Sequence, residues 1–559
     1  MTNLSPLLRL FNQVSSITNI LENLSQNKFP VSPLGVPTSV RAAILAGIKH
    51  DLDRPLFIIT THAKQARHLT RQIRLWCSQD NHVTYLPEPE ASPYERTAWR
   101  RETISDRLAT LTALITIENP IVVTSVKALM HKLMPLAWFK KGLHTYRINQ
   151  VIILNKTLET WLNLGYQAKD VVEMPGDFSR RGGILDVFPP SQSDPIRIEL
   201  FGDEIDSMRT FDPITQRSKQ KINSFMMGPA SEMCLDYAEQ IVTTLKNMDT
   251  SQLHPMARET LQNVISDLSF GSTFSGIENY LPCISDKPAS IFDYLSPNTL
   301  IFVENTLELE AAIHDITSQA ATRKSDLIAQ HDLSPDWVSP LFDWDKLSTC
   351  LIGDSLPKSI ILGFETWSNM QPVIEAKALE TIFTTPPSFA GQLKLAVQEI
   401  KKRYQNAERI VITTRQFARI KGLLNAVGVP ISHVETLDYP PPPKSVTLLK
   451  ASLQTGWVLR SHENSAPILT IFTDNELFGV RKFQARPQPR KHQGLTPETF
   501  FSDVKTGDYV VHIEHGIGVF QGLVRLTVSD VEGEYLEIHY LGKKSSDELN
   551  VLSSILPTN

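Results

Sequence analysis

The segment LGVPTSVRAAI at 34–44 lies just ahead of a helix-forming run, where a phosphate-binding loop belongs. A working loop reads G-x-x-x-x-G-K-[ST]: its glycines let backbone N–H groups reach phosphate, its lysine neutralises charge and its hydroxyl holds Mg²⁺. Counting from Gly35, the places of the second glycine, the lysine and the hydroxyl are taken by Val40, Arg41 and Ala42. Arg41 keeps a positive charge, but Val40 adds a Cβ to the tight turn and Ala42 offers no ligand oxygen. No intact version of the motif occurs elsewhere in the chain. The strand TLIFVEN at 299–305 ends in one carboxylate, Glu304, followed by Asn305, where a nucleotide-hydrolysing site usually presents an acidic pair. The expectation is a degenerate, non-binding loop, with no ATP or Mg²⁺ cofactor for this chain.

The other chemistry-bearing residues fall in patterns that do not assemble a centre. Cys77, Cys234, Cys283 and Cys350 are too far apart for a C-x-x-C zinc or redox pair and read as small buried hydrophobes. His512 and His515 flank Glu514, yet strand alternation sends them to opposite faces. Asp186, Asp203, Glu204 and Asp206 border turns and strand ends without a histidine partner, and read as solvated carboxylates. No catalytic residue and no metal site is assigned.

The elements that must position these residues belong to a multidomain α/β protein. At 559 residues the chain exceeds one core, since domains run to roughly 100–200 residues. Lys and Arg number 55 against 60 Asp and Glu, a net charge of −5 that excludes a surface coated for nucleic acid. Separated cysteines suit a reducing cytosol, and no run of about 20 apolar residues suggests a membrane span. The amphipathic start, MTNLSPLLRLFNQVSSITNILENLSQ, reads as a helix and not as a signal.

Helix and buried strand alternate from Ser39 to Pro135, the pattern of a parallel sheet, so residues 1–143 form the first part of an α/β domain. Short strands and turns such as Gly182-Gly183 and Gly202-Asp203 mark an inserted β-rich domain at 144–222, after which the α/β domain resumes at 223–330. A second, small α/β domain is expected at 345–478, containing SIILGF and RIVITT. Residues 479–499 hold Arg481, Lys482, Arg486, Arg490 and Lys491 among Pro and Gln, a basic linker that reads as a phosphate-touching tether or as a solvated hinge. Residues 500–559 alternate as strands, with Gly507, Gly516, Gly518 and Gly522 supplying the bends of a small curved barrel.

Within the insert, the strand IRIELF turns Ile196, Ile198 and Leu200 to one face and Arg197, Glu199 and Phe201 to the other. The apolar set packs inward, leaving Phe201 beside Arg197 on the outer face, the arginine-with-aromatic pairing enriched at binding hot spots. Arg180 and Arg181 extend that patch. Phe201 as a cap on a neighbouring domain's core is the competing reading.

The stretch MPGDFSRRGGILDVFPPSQSDPIRIELFGDEIDSMRTFDPITQRS at 174–218 closely resembles the domain shared by transcription-repair coupling factors and the excision-nuclease subunit UvrB. That resemblance implies binding of the damage-recognition ATPase UvrA, with the contacting residues falling on Arg181, Arg197 and Phe201. The stretch FSDVKTGDYVVHIEHGIGVFQGLVRLTVSDVEGEYLEIHYLGKKSSDEL at 501–549 resembles the polymerase-interaction module of the coupling factors and of CarD-type regulators. It implies an SH3/Tudor-like barrel that grips the RNA polymerase β subunit by strand addition along GLVRLTV, 522–528. Leu526 falls on the polymerase-contacting leucine, or is an ordinary barrel-core residue.

The resemblance makes 1–330 a UvrB-like domain with a degenerate P-loop. The ATP-driven translocase that moves the family's longer members on double-stranded DNA has no counterpart in these residues. The chain reads as an adaptor, non-catalytic on its own, from a fragment or a natural short form. A UvrB-type excision subunit and a CarD-like regulator are the alternatives. The broken loop opposes the first, and the 174–218 stretch opposes the second.

Overall fold

The structure, a computed structural model, describes residues 3–30, 32–77, 82–233, 235–284, 288–353, 359–368, 370, 379–461, 465–479, 506–512, 516–528, 531–541 and 551–557. Residues 480–499 of the basic linker, with Glu514 and His515, lie outside the described residues. The chain divides into two compact units, Met1–Lys482 and Phe483–Asn559.

The first unit is built on several sheets. LFIIT and IVVTS are runs of apolar, largely β-branched residues, every one buried, as parallel strands covered on both faces require. Leu56–Thr60 and Ile121–Ser125 accordingly form the middle of a five-stranded parallel sheet, ordered Ser359–Ile361, Leu300–Val303, Leu56–Thr60, Ile121–Ser125, Val83–Leu86. Helices Arg41–Leu52, Ala63–Trp76, Arg101–Thr116 and Thr306–Ala329 alternate with these strands.

The expected boundary at 345 is not where the sheets divide. Ser359–Ile361, from SIILGF, returns parallel to Leu300–Val303 as the edge strand of this first sheet. A short buried run announces burial but not which sheet supplies its neighbour, and here the crossover through Thr306–Ala329 and Trp344–Leu351 brings it back. The second sheet is mixed and six-stranded, ordered Phe383–Thr384, Trp457–Arg460, Pro467–Thr473, Arg409–Thr413, Ser445–Leu449, Ile431–His433.

The amphipathic start joins the two sheets. Leu4, Leu7, Leu8, Leu10 and Phe11 are buried in one core with Trp76 and Trp457. The Phe11 ring meets Phe383 edge-on at 6.0 Å, and Trp76 stacks on Trp457 at 5.8 Å. Among the described residues, no helix is long and apolar enough to cross a membrane.

The β-rich insert leaves through His144–Arg147 and returns through Ser224–Met227, which pair antiparallel as its neck. Between them lies a six-stranded sheet ordered Ser218–Lys221, Glu204–Phe211, Ile196–Phe201, Ile184–Val187, Asp177–Arg181, Gln167–Ala168. Its inner face packs on Trp161 and Tyr146, and Trp161 Nε1 donates to Tyr146 Oη at 2.9 Å.

The second unit is a four-stranded antiparallel sheet paired in chain order: Tyr509–His512, Gly516–Val528, Val531–Leu541, Val551–Pro557. Its long second strand shifts register between Phe520 and Gly522, and Gly522 sits at φ +146°, a conformation that favours glycine.

Candidate functional site

Several groups of the 34–42 segment are bonded within the protein itself. Gly35 takes φ +67° at its start. The N–H groups of Leu34, Gly35 and Val36 donate to the carbonyls of Ile361, Gly363 and Leu362 at 2.9, 3.0 and 2.8 Å, and Val40 N–H donates to Pro37 O at 2.9 Å. A phosphate loop works by pointing such amides at its ligand. Val40 and Ala42 are buried, filling the space with Cβ and methyl groups. Arg41, the first residue of its helix, directs Nη1 to Glu304 Oε1 at 2.9 Å and Nε to Val36 O at 3.3 Å. The charge at the lysine place and the carboxylate at the strand end therefore neutralise each other. Gly363 permits this closure, since a Cβ there would stand 2.5 Å from Glu304 O.

The insert presents the opposite arrangement. Cross-strand partners place Asp186, Arg197 and Arg209 in one row and Arg181, Ile184, Glu199 and Ser207 in the next, while Phe201 opposes Glu204 at the hairpin end. Side chains of directly paired residues share a face, so Arg181, Arg197 and Phe201 share the outer face. Phe201 is 82% exposed, just before the two-residue turn at Gly202, where φ is +64°. Arg181 is exposed, with Nη2 donating to Asp170 O at 2.6 Å.

Arg197 is placed differently from expectation. It grips Asp186 with both arms, Nε to Oδ1 at 2.8 Å and Nη2 to Oδ2 at 2.9 Å, and lies 4.7 Å over the Phe211 ring. Its aromatic partner is thus Phe211, whereas Phe201, four residues along an extended strand, is about 13 Å away by strand rise. These hydrogen bonds to Asp186 hold the guanidinium protonated even more firmly than usual. Asp186 is correspondingly no solvated turn carboxylate: it is buried, and Arg197 is the charge that makes its burial tolerable.

Leu526 lies on the Gly516–Val528 strand, opposite Gly533. Tyr509–His512 pairs with that strand only over Gly516 to Val519, and the pairing continues through Gly507 and Asp508 to Phe520. Among the described residues, 521–528 is therefore hydrogen-bonded along one side alone, by Val531–Leu541.

One charged centre had no signal in the sequence. Arg107 and Glu232, both buried, form a two-armed ion pair; Arg107 Nη1 also donates to Pro87 O at 2.8 Å, and the guanidinium stacks 5.3 Å from the Trp99 ring. Beside it, burial and then the Glu232 charge push the Glu278 carboxyl up to about 7, against the pull of a Ser231 hydroxyl bond at 3.4 Å. Burial likewise pushes the Cys283 thiol up to about 12, leaving it an inert core residue.

The 34–42 loop thus pairs its charge internally, the insert carries an exposed aromatic on a face with cations, and the second unit is a separate sheet. Comparison with known proteins finds similarity in two segments and along most of the chain. The family model for the UvrB interaction domain matches residues 145–233, and that for the CarD-like/TRCF RID domain matches 504–551. A transcription-repair-coupling factor from Bacillus subtilis is 26% identical over 531 residues, covering 92% of this chain and 44% of the relative. One from Haemophilus influenzae is 28% identical over 494 residues, covering 86% of this chain and 41% of the relative. The chain is similar to transcription-repair-coupling factors over most of its length and spans less than half of theirs.

Proposed function

We propose that this chain is a binding component of transcription-coupled nucleotide excision repair, joining RNA polymerase to the damage-recognition protein UvrA without turning over nucleotide itself. The observation that carries the reading is Phe201, 82% exposed on the face shared by Arg181 and Arg197, within the segment matched by the UvrB interaction domain. A large aromatic exposed on a stiff hairpin, with cations nearby, is an interface anchor. Arg197 contributes by ordering that face through Asp186 and Phe211, and Arg181 by direct charge.

The polymerase contact is the 521–528 edge, which has backbone groups to offer to an incoming strand of the β subunit, with Leu526 at its centre. Closure of the four strands into a small SH3/Tudor-like barrel belongs to this reading. The 34–42 loop takes no ATP in this reading: the amides of Leu34, Gly35, Val36 and Val40 are engaged, and Arg41 already has its anion in Glu304. ATP, Mg²⁺ and translocation on double-stranded DNA belong to the further domains of the longer relatives.

Capture of purified UvrA on the immobilised chain tests the reading. Wild type retains UvrA, and Phe201→Ala loses it with an unchanged circular dichroism spectrum. Undiminished capture by a folded Phe201→Ala protein overturns the UvrA assignment. Robust DNA-stimulated ATP hydrolysis by this chain alone overturns the assignment of the loop.

A further inference from the structure

The hairpin that carries Phe201 has a second apolar wall. Residues 150–152 run antiparallel to the start of the Glu204–Phe211 strand: Ile152 N–H donates to Asp203 O at 2.8 Å and Ile205 N–H to Gln150 O at 3.0 Å. Those bonds make Val151 and Glu204 a directly opposed pair of the non-hydrogen-bonded kind, whose side chains lie close together on one face. Glu204 is also the cross-strand partner of Phe201. Val151, Glu204 and Phe201 therefore stand side by side, about 5 Å from strand to strand. Ile153, two residues beyond Val151, returns to the same face.

The accessibilities follow this alternation. Val151 and Ile153 are each 69% exposed, while Ile152 between them is 6% exposed and Ile205 is fully buried. Single exposed apolar residues are ordinary; here three lie on neighbouring segments around Glu204, a grouping of the kind that marks an interaction surface. Charge accompanies the ridge: exposed Glu204 stands between Val151 and Phe201 with exposed Asp203 and Asp206 beside it in the chain, and exposed Arg181 lies across the Ile184–Val187 strand.

We infer that Val151 and Ile153 form, with Phe201, one three-part apolar anchor for the UvrA partner. This rests on the assignment of UvrA made above. The flanking charges specify the surface that covers the ridge: an apolar hollow with basic groups beside Val151 and an acidic group beside Arg181. The sheet hydrogen bonds hold the anchor ready-made, so binding requires little ordering of the chain.

The test is the affinity of purified UvrA for the full chain, measured calorimetrically for Val151→Ser with Ile153→Ser, for Phe201→Ala, and for Ile214→Ser. Ile214 is 60% exposed in the same insert, in the loop after Phe211, away from the ridge. The double variant is expected to bind at least about tenfold more weakly, and Ile214→Ser within about twofold of wild type. Each variant is exposed, so the thermal midpoint stays unchanged; if the double variant unfolds, Val151→Ala alone carries the same expected sign. Affinity within about twofold for the double variant, with Phe201→Ala defective, overturns the three-part anchor and leaves the UvrA assignment standing. Undiminished binding by Phe201→Ala overturns that assignment itself.

Discussion

The 34–42 loop and the outer face of the insert both combine arginine with carboxylate, and they put the combination to opposite uses. At the loop, Arg41 meets Glu304 with side chains only 11% and 9% exposed, and the amides of Leu34, Gly35, Val36 and Val40 are engaged by residues 361–363 and Pro37. On the insert, Arg197 and Asp186 are similarly paired, at 18% and 3%, but the pair underlies a surface whose outermost residue, Phe201, is 82% exposed. The residue types alone do not separate a closed site from an open one. What separates them is whether the groups that could meet a ligand are already satisfied within the chain.

The sharpest way to break the comparison is to unseal the loop. Arg41→Ala leaves Glu304 buried without its cation, and an expected loss of about 3–5 kcal/mol follows from stranding a buried charge. Urea unfolding measures it, and a loss below about 1 kcal/mol would mean that the pair is a surface contact and the loop is open to ligand.

The buried cluster behind the loop's domain gives the next largest effect, and its sign is fixed by Glu278. Its carboxyl is raised from 4.5 to about 7, so the folded state holds a proton that the unfolded state has released between those values. Stability therefore falls as pH rises through that window, by about 3 kcal/mol in all, and is fully present below about 4.5. Glu278→Gln should flatten this dependence in urea titrations at pH 5 and pH 8. An unchanged slope would show that the carboxyl is hydrated in the folded protein.

A comparable effect separates Arg197 from its neighbours on the face. Removing it strands Asp186, with an expected cost of about 3 kcal/mol, the low end for a broken buried pair because Arg197 itself is partly exposed. Arg181→Ala should leave the thermal midpoint alone, because Arg181 is exposed and donates only to the Asp170 carbonyl. Equal, negligible shifts for both would place Arg197 among the exposed contacts instead of among the residues that order the face.

Which parts of this were legible in sequence follows from what alternation encodes. The buried run LFIIT and the inward set Ile196 and Ile198 announce themselves, because burial on one or two faces leaves a period in the chain. Partners leave none. Arg41 and Glu304 are 263 residues apart and Arg107 and Glu232 are 125 apart, so nothing local predicts either pair. The same limit explains Ser359–Ile361, whose burial was readable but whose sheet was not. It also explains Arg197: alternation placed it on the outer face, but only the fold brings Phe211 and Asp186 to it. Nothing in the local sequence marks Val151 and Ile153; only the pairing of Val151 with Glu204 brings that segment to the hairpin of Phe201.

The smallest expected effect is also the most discriminating. Phe201 is 82% exposed, so truncation to alanine removes little buried apolar area; exposed substitutions usually fall within about 0.5 kcal/mol. A capped core residue would behave otherwise, since Phe→Ala in a core costs about 3–5 kcal/mol. The thermal midpoint of Phe201→Ala therefore decides between the two roles that the sequence left open, independently of any partner. A midpoint within a degree or two of wild type, combined with lost UvrA capture, makes Phe201 a residue held for something outside the chain. A drop of several degrees would move it into the class of Arg197, and the insert's face would then be as closed as the loop.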